Sequence, residues 1–207
     1  MGSFCTNITL IDTDPATVEP LLAGMGRVAF LGGWGGHTVV FDELGEAQDG
    51  SHAALAQELS AALGCVALAS LNHDDDILYL QAFRSGDVRG EFNSQPDYFG
   101  EVDELVELGL VEADAATGPG GSAIGGERWS LGLDPVTLVA LVGTGDADRL
   151  AAVTAADAVF ASELHAAIVA ELGLPTAACG FGYRYLANGE RPDDDGEGGL
   201  REVGRPS

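Results

Sequence analysis

The chain has 207 residues, 46% of them apolar, and carries 33 Asp+Glu against nine Lys+Arg, for a formal charge of −24. All nine cations are arginine, and lysine is absent. Such a chain can bury a core, but its surface repels nucleic-acid phosphates and anionic membranes, which leaves cations, basic proteins and neutral molecules as partners.

The Ala, Gly, Asp and Val bias without lysine also suits a high-GC or salt-adapted source, a reading of the charge that needs no partner. Cys5, Cys65 and Cys179 are too dispersed for a disulfide framework, and each sits beside β-type apolar residues, as buried thiols of a reducing cytosol do. No apolar run approaches the ~20 residues that span a bilayer, and no basic region followed by a hydrophobic one opens the chain. The expectation is a soluble, cytoplasmic protein. Gly2 and Thr6 match a loose myristoylation pattern and Asn7 a glycosylation sequon, but Phe4 begins a strand and nothing else marks secretion.

In chain order, "FCTNITLI" (4–11) alternates as a first strand. Val18, Leu21, Leu22 and Met25 then follow helical spacing, with Thr17 as N-cap, Pro20 in the first turn, and Gly24 and Gly26 as a stop. "RVAFL" and "HTVVF" are strands flanking "GGWGG" (32–36). Asp49 or Ser51 caps a second helix along Leu55, Leu59 and Leu63, and Gly64 ends it. "CVALASL" (65–71) is an apolar strand, and "ILYLQAF" and "VRGEFN" form a hairpin around "RSGD". The order β-α-β-β-α-β-β-β predicts an α+β fold with a mostly antiparallel or mixed sheet and two helices in its N-terminal half.

Beyond "PDYFG", "EVDELVELGLVEA" has helical character, and "TGPGGSAIGG" (117–126) is a flexible connection. Helices follow in "DPVTLVALVG" behind Asp134, in "ADRLAAVTAA" behind Asp146, and in "AVFASELHAAIVAELG", which Gly173 ends. "PTAACGFGYRYLAN" returns to β character, with Phe181, Tyr183 and Tyr185 on one strand face. The expected organisation is therefore a sheet subdomain over 1–116, a glycine-rich linker over 117–127, a helical segment with one late strand packing on the sheet over 128–187, and a disordered acidic tail over 188–207.

Without lysine, a phosphate-binding P-loop, a Schiff-base lysine and a kinase-type lysine are impossible. Neither "GGWGG" nor "GPGGSAIGG" has the spacing of a dinucleotide fingerprint, and no nucleophile elbow, HExxH or EF-hand loop is present. No cofactor is predicted, although a divalent cation has one place to bind. In "LNHDDDILYL", Asp74 and Asp76 would converge on one strand face while Asp75 points away; with Asn72 they would suit Mg²⁺ or Ca²⁺, and with His73 a transition metal. In a turn, all three carboxylates would project into solvent, and Asp is a common turn former. Both readings stay open.

Other candidates are more scattered. His165 sits near the apolar face of its helix, as a satisfied core residue or as a base or ligand for the same cluster. Asp97 and Tyr98 in "PDYF" would approach that end of the sheet. Trp34 and His37 border the glycine turn, where Trp34 is either a recognition tip or a lid folded on the core. His52, in the first turn of a helix, looks incidental.

"CTNITL", "NHDDD", "PDYF", "LGLP" and "GYRYL" together resemble a group of uncharacterised bacterial proteins. The resemblance covers most of residues 4–187 and implies a natural compact unit. It carries no activity, cofactor or partner. The leading functional expectation is a non-catalytic acidic interaction module, an immunity or antitoxin-like inhibitor of a basic protein. The alternative is a divalent-metal-dependent hydrolase using His73, Asp74 and Asp76 with His165. A third reading is a small-molecule binder with its pocket between the sheet and the C-terminal helices.

Overall fold

A strand covered on both faces must be apolar, or internally hydrogen-bonded, along its whole length. The computed structural model describes residues 3–96, 98, 127–156, 158–194 and 196–205. In it, β1 (Cys5–Leu10) is buried at every position, and β4 (Val66–His73) at every position but its last. Six further strands are β2 (Ala29–Trp34), β3 (His37–Asp42), β5 (Ile77–Arg84), β6 (Asp87–Asn93), β7 (Trp129–Ser130) and β8 (Glu197–Val203). They complete one eight-stranded sheet in the order β7-β6-β5-β4-β1-β3-β2-β8. Every neighbouring pair is antiparallel. With six α-helices among the described residues, the fold is α+β, as expected.

Alternation sends Ile8 and Leu10 to one face of the sheet and Asn7 and Thr9 to the other. On the first face, α1 (Pro15–Gly24) and α2 (Ser51–Leu63) pack Val18, Leu22, Leu55 and Leu59 against Ile8, Leu10, Val40 and Ala69. On the second, α3 (Pro135–Val142), α4 (Ala147–Ala155) and α5 (Ala161–Glu171) bring Leu138, Leu150, Leu164 and Ile168 onto Leu68, Leu78, Leu80 and Phe92. The short α6 (Tyr183–Ala187) closes the rest of that face, with Tyr183 and Leu186 against Phe30, Val39 and Phe41. Each fully buried Leu or Phe contributes roughly 1.5–3 kcal/mol, so the helices hold the sheet mainly through these side chains. No helix among the described residues is long and apolar enough to cross a membrane.

Local chemistry sets most helix starts. Asp14, Asp134 and Asp146 accept backbone N–H groups of the first turns of α1, α3 and α4, and Pro15 and Pro135 open α1 and α3. The cap of α1 is therefore Asp14 rather than Thr17, whose hydroxyl donates to the Asp14 carbonyl, and Pro20 lies inside the helix. At α2, the Asp49 carboxylate accepts the Ser51 N–H.

Two expectations for the C-terminal region are corrected. "PTAACGFGYRYLAN" forms a 3-10 turn over Thr176–Ala178 and then α6 rather than a strand. Tyr183 and Leu186, three residues apart, both reach the core, a spacing that one helical turn satisfies and strand alternation does not. The tail expected to be disordered instead supplies the late strand: β8 pairs with β2, placing Ala29 opposite Val203 and Gly33 opposite Glu197. An edge strand is held through main-chain groups, so a polar, glycine-rich sequence suffices, and Val203 and Leu200 add apolar contact. β7 and β8, from beyond the glycine-rich connection, thus share one sheet with the first six strands. The helix expected in 101–113 and the linker within 117–126 lie outside the described residues.

The "GGWGG" turn shows why its glycines are needed. Trp34 folds back on the sheet at 6% exposure, and its indole N–H donates to the Asp194 carbonyl at 3.1 Å. A Cβ on Gly32 would lie 2.6 Å from the Trp34 ring, and Gly196, at φ +75°, passes against the same ring. Gly32→Ala is expected to lower stability by about 1–3 kcal/mol through overpacking, with red-shifted tryptophan emission as the ring is displaced. Urea titration followed by fluorescence reads both, and an unchanged midpoint would refute the contact.

Candidate functional site

The "HDDD" run is the turn between β4 and β5. Asp74 and Asp75 have φ of 55° and 61°, and the Asp76 N–H donates to the His73 carbonyl at 3.0 Å. Two consecutive left-handed residues match the twist of the flanking strands, and Asp tolerates that conformation better than most residues. Strand alternation therefore stops at His73, and nothing drives Asp74 and Asp76 onto a common face.

The four side chains take different roles. His73 Nδ1 lies 2.8 Å from Gln48 Oε1, and its ring meets Phe4 edge-on. Asp74 is exposed. Asp76 accepts the Tyr98 hydroxyl at 2.9 Å, a bond that holds the phenol above its ordinary range. Asp75 is the structural member: its Oδ1 accepts from Asn72 Nδ2 at 3.0 Å and from the Ser162 N–H at 2.8 Å, and its carbonyl accepts the Ala161 N–H at 2.8 Å. The residue in the N-cap position of α5 is Phe160, whose side chain cannot accept a hydrogen bond, so the hairpin caps that helix from outside. Burial raises the Asp75 carboxyl, but the bonds from Asn72 and Ser162 outweigh it and hold the group below the usual carboxylate range. Asp97 lies outside the described residues.

Among the described residues, no group of three or more His, Cys, Asp and Glu is arranged to hold a metal ion. His165 is buried on α5 with its Nε2 3.1 Å from the Ser70 hydroxyl, so its contact is with the middle of β4 rather than with the turn. Burial lowers its pKa to about 4. His52 lies in the core. It is 1% exposed, neither ring nitrogen has a hydrogen-bond partner among the described residues, and burial lowers its pKa to about 4. The Cys179 thiol is pushed up by burial to about 12, and Cys5 is raised further by burial and by Glu46 beside it, so neither supplies a thiolate nucleophile.

Several clefts among the described residues have the size of small-ligand sites, including one of about 660 Å³ between the Asp12–Thr17 segment, Gly64–Val66 and the end of α3 that holds none of the predicted site residues. Another, of about 520 Å³, is lined by Asp76, Pro96, Tyr98, Arg128, Ser94 and Leu164, which brings one residue of the acidic turn beside Pro96 and Tyr98. Two more, of about 690 and 510 Å³, share Trp34 and His37 at the β2–β3 tip. His37 Nδ1 accepts the Asp12 N–H at 3.1 Å, which assigns the proton of the neutral ring to Nε2. Sequence reasoning missed Asp75 as a cap and missed Phe181, Asp193 and Asp194 as cleft walls. The only local sign of the first was the absence of a capping oxygen at Phe160. No protein-family model, curated protein or solved structure matches the chain.

Both Asp74→Ala and Asp75→Ala place alanine at positive φ and share that cost, so Asp75→Ala is expected to lower stability by about 1–2 kcal/mol more than Asp74→Ala, the loss of the helix cap. Equal urea midpoints for the two variants would refute the cap. Because the folded Asp75 carboxyl is depressed, its contribution is complete above the ordinary carboxylate range and is lost as pH falls through the depressed value.

His52 and His165 titrate near 6.5 when unfolded and near 4 when folded, so the unfolded chain binds protons first as pH falls. Their contribution is complete above pH 6.5 and declines toward pH 4, by on the order of 3 kcal/mol for each ring. His52→Leu removes a ring without partners, and should flatten part of that decline at little loss of stability at neutral pH. Thermal melts across this range check the slope, and an unaltered slope in the variant would refute the assignment.

Proposed function

We propose that the protein is a soluble, cytoplasmic, non-catalytic interaction module that neutralises a basic protein partner, in the manner of immunity or antitoxin-like inhibitors. The observation that carries this reading is the disposition of its cations. Arg27, Arg89, Arg149, Arg184, Arg201 and Arg205 pair with Asp42, Asp87, Glu171, Glu46, Glu19 and Glu202. Arg128 and Arg191 donate to backbone carbonyls. Eight of the nine arginines are thus engaged inside the protein's own structure, Arg84 standing exposed, while Asp12, Glu43, Glu58, Asp74, Asp76 and Asp148 also stand exposed. A surface with a field of one sign accelerates encounter with a basic protein and disfavours nucleic acid.

The metal-dependent hydrolase reading needs His73, Asp74 and Asp76, with His165, around one ion. Their bonds point elsewhere: His73 to Gln48, Asp76 to Tyr98 and His165 to Ser70. That divergence favours the interaction reading.

The test is capture on the immobilised chain at low salt, followed by remeasurement of each purified candidate in solution. A basic protein that binds with one-to-one stoichiometry, and weakens at least about tenfold between 50 and 200 mM salt, is the expected result. Retention of no basic protein, or an affinity indifferent to salt, would overturn the proposal.

A further inference from the structure

The larger cleft at the β2–β3 tip has walls from three separate parts of the chain. Trp34, Gly35 and His37 come from the hairpin, residues 173–177 with Cys179 and Phe181 from the stretch that follows α5, and Arg191, Asp193 and Asp194 from the segment leading into β8. Its volume of about 690 Å³ exceeds what a single side chain would fill. The apolar part of its lining comprises Trp34, Leu174, Pro175, Ala177 and Phe181.

The charged groups of the lining are unequal in availability. Arg191 is held: one nitrogen donates to the Leu186 and Glu190 carbonyls at 2.8 and 2.6 Å, and its guanidinium lies 5.7 Å from the centre of the Phe30 ring. Asp193 and Asp194 are exposed, and Asp194 uses one oxygen to accept the Gly196 N–H at 2.9 Å. Asp194 is also the residue whose carbonyl takes the Trp34 indole N–H, so its backbone is fixed beside the aromatic wall. The cleft therefore offers two carboxylates beside aromatic and aliphatic surface, set against the one positive charge of Arg191, which is drawn toward the Leu186 and Glu190 carbonyls and the Phe30 ring. An aromatic face and a carboxylate both attract a cation, and an apolar wall accepts the stem that carries it.

We infer that this cleft binds an organic cation, an alkylammonium or alkylguanidinium group whose stem lies along Trp34, Pro175 and Phe181 and whose head faces Asp193 and Asp194. The inference stands on the cleft alone and does not require the acidic-module reading. The same chemistry is offered by a free small amine or guanidine and by a lysine or arginine side chain of a protein.

The test is titration of the full chain, at fixed ionic strength, with butylguanidinium and its neutral isostere butylurea, and with N-acetyl-arginine methylamide and its neutral citrulline counterpart. The readout is the pair of indole N–H resonances of Trp34 and Trp129. Saturable movement of the Trp34 resonance with the cations, little with the neutral isosteres, and about tenfold weaker binding in an Asp193→Asn, Asp194→Asn variant is the expected result. Asn keeps the oxygen that accepts the Gly196 N–H, so the variant retains the local backbone. Tighter binding of butylguanidinium supports a free ligand, and tighter binding of the arginine derivative supports a protein side chain. Parallel movement of both indoles, equal binding of cation and isostere, or undiminished binding in the variant would overturn the inference.

Discussion

The central strands β1 and β4 are covered on both faces, and that double burial governs the rest of the architecture. An antiparallel sheet more often leaves one face to solvent; here each face needs its own layer of helices. The N-terminal half supplies one layer directly, because α1 and α2 fall between consecutive strands. The second layer comes from the C-terminal third, and its arrival buries Asn7, Ser70 and Asn72 in the sheet's second face. These polar groups are then served by that layer and by the adjoining turn: Ala178 accepts from Asn7, His165 meets Ser70, and Asp75 accepts from Asn72. Leaving any of them unpaired would cost about 1–3 kcal/mol, so the polar contacts fix how the helices sit as well as how strongly.

Asp75 and Trp34 are the two points where distant segments are tied together. Asp75 joins a hairpin turn to the start of α5, across 87 residues of chain, by supplying the cap that Phe160 lacks. Trp34 joins a glycine turn to the segment before β8, across 160 residues. In each case a side chain that reads locally as part of a charged or flexible turn is held by backbone groups far away in the sequence. Three of the clefts lie at these two junctions, where loops from separate elements meet without filling the space between them.

The charge pattern links the fold to the proposed role. Arg27 pairs with buried Asp42 through two bonds, at 3.0 and 2.6 Å, in a setting where solvent screens little. The remaining ion pairs are mostly exposed and contribute little to stability, about 0–1 kcal/mol each, but they neutralise cations that would otherwise interrupt the negative surface. What is left over is a predominantly acidic surface with the Trp34 cleft set in it. Both proposals draw on that arrangement, the first through long-range attraction and the second through short-range contact.

Periodicity and capping chemistry are local, and they were legible. The alternation of "FCTNITLI", the leucine spacing of α2 and the Asp-Pro start of α3 each act within a few residues, so the sequence alone determined the α+β class, most strands and the Asp-capped starts of α3 and α4. The absence of lysine likewise excluded a phosphate-binding P-loop, a Schiff-base lysine and a kinase-type lysine without any structure. The roles of Asp75, His52, Asp193 and Asp194 depend on partners that only folding brings near, and no spacing rule encodes a cap donated from another element. β8 was missed for a related reason: its stability lies in main-chain bonds to β2, which leave almost no trace in side-chain hydrophobicity. In "GYRYL", strand alternation and helical spacing coincide over too few residues to separate, and only the position of Phe30 and Phe41 on the sheet decided for the helix.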